Sequence, residues 1–113
     1  MLNIKIGGEL RPFKFGFNAM DIFCKEKSIG IGDFGAYFNN IASNKATIAD
    51  LRDIVFAGLC GGALSMGSKV DFTTYQVGDW MDELKSDELA KIMASISGAV
   101  FVKKKEKVIG RKP

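Results

Sequence analysis

There is no histidine anywhere in the 113 residues. That removes the commonest general base and a favoured zinc ligand in one step. Cysteine occurs only as Cys24 and Cys60, each inside an apolar helical segment. The ordinary reading there is a pair of reduced core thiols, not a redox centre. No apolar run approaches the roughly 20 residues that a membrane span needs. Met1-Leu2-Asn3-Ile4-Lys5 lacks the basic region and apolar core of a signal peptide, so the expectation is a cytosolic protein. There is no internal repeat and no phosphate loop. Gly30-x-Gly32-x-x-Gly35 is spelled like a dinucleotide fingerprint, but it does not follow a strand in a βαβ unit and reads as a loop that leads into a helix. No nucleophile has a base beside it. These gaps predict a non-enzyme with no cofactor and no metal. Asp82, Glu83, Asp87 and Glu88 gather around one turn, and a solvated helix junction explains them better than a metal site or an acid–base pair.

What is present is apolar material. Hydrophobic residues make up 47% of the chain, enough for one core in one domain of common size. The net charge of +3 is unevenly placed. Residues 103–113 hold Lys103, Lys104, Lys105, Lys107, Arg111 and Lys112 against Glu106, whereas residues 1–102 carry ten basic and twelve acidic residues. The expected organisation is a globular domain over 1–102 and a basic flexible tail over 103–113. The lysine run has no aromatic neighbour on which bases could stack, so it reads as a solubilising tail and not as a nucleic-acid contact.

The stretch from Thr47 to Leu59 organises the rest. Ile54 to Cys60 carries no charge, which marks a central helix on which others pack. Thr47 suits its N-cap, with Asp50 as capping-box partner, and Gly61-Gly62 is expected to end or kink it. Before it, Leu2 to Phe17 reads as a hairpin about Gly7-Gly8, with Leu2 facing Phe13, Ile4 facing Arg11 and Ile6 facing Glu9. That register puts Leu2, Ile4, Ile6, Phe13 and Phe15 on one side. A first helix is expected after an Asn18 N-cap, with Phe17 and Ile22 spaced as a hydrophobic staple. A second follows Asp33. A fourth starts after Thr73, with Gln76 in capping-box spacing and Phe72 and Val77 as a staple. A fifth is capped by Ser86. The fold class is α+β, mainly α: an N-terminal β-hairpin on a bundle of about five short helices.

Phe34, Tyr37, Phe38 and Ile41 repeat at i, i+3, i+4 and i+7, as do Val77, Trp80, Met81 and Leu84. Such stripes are most often core. Five short helices and a hairpin nevertheless have more apolar faces than a small domain hides, so a surplus face for self-association or a partner is expected. Phe34, Phe38, Trp80 and Met81 are its candidates, with Lys103, Lys104 and Lys105 as a basic supplement.

The order of parts resembles a known family. The hairpin ends in Arg11-Pro12-Phe13-Lys14-Phe15-Gly16-Phe17-Asn18-Ala19 and runs into a helix. Then come Leu51-Arg52-Asp53-Ile54-Val55-Phe56-Ala57-Gly58-Leu59, Thr74-Tyr75-Gln76-Val77-Gly78-Asp79-Trp80-Met81-Asp82, and Glu88-Leu89-Ala90-Lys91-Ile92-Met93. Over about residues 4–101 this pattern is similar to the tail assembly chaperones of long-tailed bacteriophages and prophages. The resemblance implies a non-enzymatic protein of the bacterial host cytoplasm. It would bind and solubilise the tape-measure protein and help recruit tail-tube subunits, with possible homo-oligomers. It also implies, in many such phages, a longer form made by ribosomal frameshifting near the end of the short one. Two alternatives stand beside it: a head–tail connector or completion protein that stays in the particle as a ring, and a small nucleic-acid-binding regulator that uses the basic tail.

Overall fold

The computed structural model describes the backbone of residues 1–109 and the side chains of residues 1–98. Gly7 and Gly8 both have positive φ, +64° and +81°, as a type I′ two-residue turn requires. The turn joins β1 (Leu2–Ile6) to β2 (Glu9–Phe13) in the expected register, with Leu2 opposite Phe13, Ile4 opposite Arg11 and Ile6 opposite Glu9. Alternation then buries Ile4, Ile6, Phe13 and Phe15.

Among the described residues five helices follow: α1 (Phe17–Lys27), α2 (Phe34–Ala42), α3 (Ile48–Ser65), α4 (Thr74–Asp82) and α5 (Ser86–Ile109), with a 3-10 turn at Ile31–Asp33. The fold is α+β and mainly α, as the sequence predicts. Two of the helices are not short: α3 has 18 residues and α5 has 24.

Thr47 caps α3 in a reciprocal box, in which the Asp50 amide donates to Thr47 Oγ1 at 3.1 Å and the Thr47 amide to Asp50 Oδ2 at 3.3 Å. Thr73 and Gln76 close the same box on α4. Phe72 and Val77, at the positions flanking that cap, are both buried. The start of α1 differs from expectation. Its N-cap is Gly16, not Asn18, so Phe17 is the first helical residue and lies 74% exposed. The staple spacing with Ile22 therefore does not apply.

Gly61-Gly62 neither ends nor kinks α3; both residues are buried within it. Their role is close approach. A Cβ on Gly62 would overlap the Pro12 carbonyl, one on Gly61 the Lys14 carbonyl, and one on Gly58 the Phe13 ring. Three hydrogens on one helix face thus let β2 lie directly on the helix backbone, and the Lys14 amide donates to the Gly58 carbonyl at 3.0 Å. Glycine's helix penalty of about 1 kcal/mol per residue is offset by that contact.

The core sits between this seam and the aromatic side chains of α1 and α2. Phe34 stacks on Phe15 at 5.6 Å and meets the Phe23 edge at 5.8 Å. Ile92 and Ile96 of α5 close the far side and are fully buried. The α5 backbone runs on through Lys103, Lys104 and Lys105 to Ile109. Lysine and glutamate are good helix formers, and extending an existing helix needs no new nucleus. The rest of the expected tail, residues 110–113, lies outside the described residues. Among the described residues, no helix is long and apolar enough to cross a membrane.

Candidate partner interface

The stripe residues do not form one face. Phe34 and Phe38 are 5% and 3% exposed, stacked on each other at 6.4 Å within the core. Phe34 is thus closed off in the core of the domain, while Phe38 also lines the bottom of a cleft beside α5. Helical spacing shows which side chains share a face, but not what covers that face.

Trp80 and Met81 are half-buried and belong to a second cluster. The indole of Trp80 lies over the hairpin turn, where a Cβ on Gly7 would strike its ring. Arg11 stands beside it, its guanidinium carbon 4.3 Å from the Trp80 ring centre and 5.5 Å from that of Phe72. Arg11 Nε donates to the Ile6 carbonyl at 3.2 Å, and the guanidinium lies 3.6 Å from Glu9 and 3.9 Å from Asp71. Arg11 shares the core-facing parity of Ile4, so the cation covers the rim of the core with its stem while its head stays bonded. A charged residue at an inward parity position was the sequence signal for this post. The side chains of Lys103, Lys104 and Lys105 lie outside the described set.

Among the open apolar surfaces, one lies on α1 and the 3-10 turn. A groove of about 450 Å³ has Met20 and Cys24 in its floor, Ile29 on its wall and Phe17 and Ile31 on its rim. Ile31 is 67% exposed. Asp21 and Lys25, paired at 3.1 Å, give the groove a polar border. Apolar floor and wall with a charged border is the anatomy of a groove for an amphipathic helix. The sequence reading missed it because Phe17 was assigned to a staple and Ile31 to a glycine loop. The signal was two large apolar residues flanking helix boundaries, Phe17 and Ile31.

Charge inside the domain serves architecture. Lys27, in the last turn of α1, reaches Asp50 at 2.7 Å and Asp53 at 2.8 Å in the first turns of α3, and Arg52 Nε bonds Asp53 at 3.0 Å. Burial opposes the charge on Lys27, but its bonds to the two aspartates outweigh this and hold its pKa above the ordinary lysine value. For Asp50 burial is likewise outweighed, by hydrogen bonds from Lys27 and Thr47, and its pKa is lowered. Both thiols are buried and held toward the neutral form: burial, with Glu26 adding to it, pushes Cys60 up to about 11, and burial, with Asp21 and Asp33, raises Cys24. Among the described residues, no group of three or more His, Cys, Asp or Glu side chains is placed to hold a metal ion. The glycine-spelled loop follows α1 and not a strand.

Compared with known proteins, the chain matches no family model, no curated protein and no solved structure.

Proposed function

We propose that this chain is a non-enzymatic tail assembly chaperone of a long-tailed phage or prophage. It acts in the bacterial host cytoplasm, holds the tape-measure protein in solution and helps recruit tail-tube subunits. The observation that carries the reading is the open groove over Met20 and Cys24, bordered by Phe17, Ile31, Asp21 and Lys25. A long helical client presents apolar residues at helical spacing, and many copies of a small domain with one such groove can coat it by repeated weak contacts. The order of hairpin and helices supports the same reading. The second reading, a head–tail connector that assembles into a ring, is favoured by one feature alone, an uncovered strand edge on the hairpin.

Co-expression with a long helical tape-measure protein, sought among the genes next to this one, tests the proposal. The client stays in the soluble fraction with this chain. It precipitates with Ile31→Asp, although that variant folds. A client that precipitates equally with and without the wild-type chain overturns the chaperone reading. Finding the chain as a stoichiometric component of purified particles selects the connector instead.

A further inference from the structure

The two edges of the hairpin are unlike. The outer edge of β2 is occupied: the Pro12 carbonyl lies against Gly62, the Lys14 amide donates to Gly58, and Pro12 has no N–H to offer. The outer edge of β1 carries no backbone hydrogen bond from another segment among the described residues, although α5 packs on the strand and the turn before α5 stands near its Lys5 end. The two-residue turn makes Ile6 and Glu9 a hydrogen-bonded pair, so Ile4–Arg11 and Leu2–Phe13 are hydrogen-bonded as well. The amides and carbonyls of Asn3 and Lys5 therefore point away from β2. The sheet has two strands, and among the described residues no third segment bonds to these groups. Asn3 and Lys5 are exposed, whereas Ile4 and Ile6 on the inner face are buried. An open edge of this kind is a template for another strand.

We propose that the β1 edge pairs with the β1 edge of a second copy of this chain, antiparallel about a two-fold axis at Ile4. The register follows from charge and hydrogen bonding. Outward groups bond only to outward groups, so Asn3 and Lys5 must meet the same pair on the other strand. An axis at Lys5 sets two lysines directly opposite each other, which is repulsive. An axis at Asn3 puts Lys5 against Met1, which gives the lysine no polar side chain opposite it. An axis at Ile4 sets each Asn3 opposite a Lys5, uses every outward amide and carbonyl of both strands, and continues the inner face with Ile4 against Ile4 and Leu2 against Ile6. This self-complementarity selects a second copy over a foreign strand, and a two-fold interface closes on itself. The inference is independent of the chaperone reading.

Sedimentation equilibrium of the full chain over a concentration series tests it, with circular dichroism as the folding control. The wild type shifts from monomer to dimer as concentration rises. Lys5→Pro removes an outward amide that β2 does not use, and abolishes the dimer with unchanged helicity. Asn3→Asp places a carboxylate opposite the partner's Lys5 and tightens the dimer several-fold, a gain that added salt removes. Asn3→Lys weakens it several-fold. Should Lys5→Pro fail to fold, the opposite signs of the two Asn3 variants decide. A wild type that stays monomeric throughout, a folded Lys5→Pro that dimerises normally, or Asn3 variants that shift together overturns the pairing. So does protection of the Asn3 and Lys5 amides seen only with a foreign chain.

Discussion

The two faces of this small domain are built to different tolerances. Along α3 ten residues are buried, and where it meets β2 Gly61 and Gly62 bring backbone against backbone while Gly58 admits the Phe13 ring. Where α5 meets α2 and the start of α3, Ile92 and Ile96 are buried, but a cleft of about 400 Å³ stays open beside them, lined by Phe38, Ile41, Leu51, Leu89, Met93 and Ala94. The first contact specifies the fold and has no slack. The second leaves apolar surface partly uncovered, and local stability is expected to fall in the same order.

The largest effect belongs to the tight face. Gly62→Ala drives a methyl into the Pro12 carbonyl, so β2 must lift off the helix. Helix propensity alone would make alanine better by about 1 kcal/mol. The expected outcome is the reverse, a loss of about 3 kcal/mol in urea denaturation, as overpacking against a rigid backbone predicts. A neutral or stabilising Gly62→Ala would show that the seam is not close-packed.

Next is the ion cluster that ties α1 to α3. Lys27→Met leaves Asp50 without a cationic partner and Asp53 with Arg52 alone. Breaking a buried pair costs about 3–5 kcal/mol, and the 13% exposure of Lys27 brings the expectation down to about 2 kcal/mol. The pH dependence follows the shifts. Asp50, lowered from its ordinary 3.8, contributes stability above that value and loses it as pH falls through the folded pKa. Lys27, raised from its ordinary 10.5, contributes fully below that value and loses it as pH rises through the folded pKa. The contribution of this cluster to stability is therefore level between these limits. Both flanks flatten in Lys27→Met, and an unchanged profile would remove the cluster from the account.

Arg11→Lys is smaller. Lysine keeps the charge but loses the flat guanidinium over Trp80 and the Nε bond to the Ile6 carbonyl. About 1 kcal/mol is expected. Trp80 is the only tryptophan, so a red shift of its emission reports the loosened turn directly.

How far these contrasts could be read from sequence depends on the range of the interaction. The boxes at Thr47–Asp50 and Thr73–Gln76 span three residues, and the hairpin register is fixed by a two-residue turn, so both were legible. Gly61-Gly62 was not. Local propensity marks a break, and only the arrival of β2 from far earlier in the chain turns those hydrogens into a docking surface. Phe34 and Phe38 were placed on the right helix face but assigned to a partner, because periodicity is silent about which neighbour covers a stripe. The groove beside Ile31 went unseen for the complementary reason, since exposure is a property of the finished packing.

The smallest effect lies at the open face, and there the sign of the size change is instructive. Ala94 is exposed at the margin of the α5 cleft. Ala94→Leu adds three carbons toward Met93 and Ile41 at a site with room for them, and leucine is a good helix former. Stability is expected to stay within about 0.5 kcal/mol, because surface substitutions away from special features rarely do more. One added carbon at Gly62 would then cost several times what three cost at Ala94, on helices of the same domain. A loss at Ala94→Leu as large as that at Gly62→Ala would mean that α5 is seated as tightly as α3, and that the apolar surface available to a partner is confined to the α1 groove.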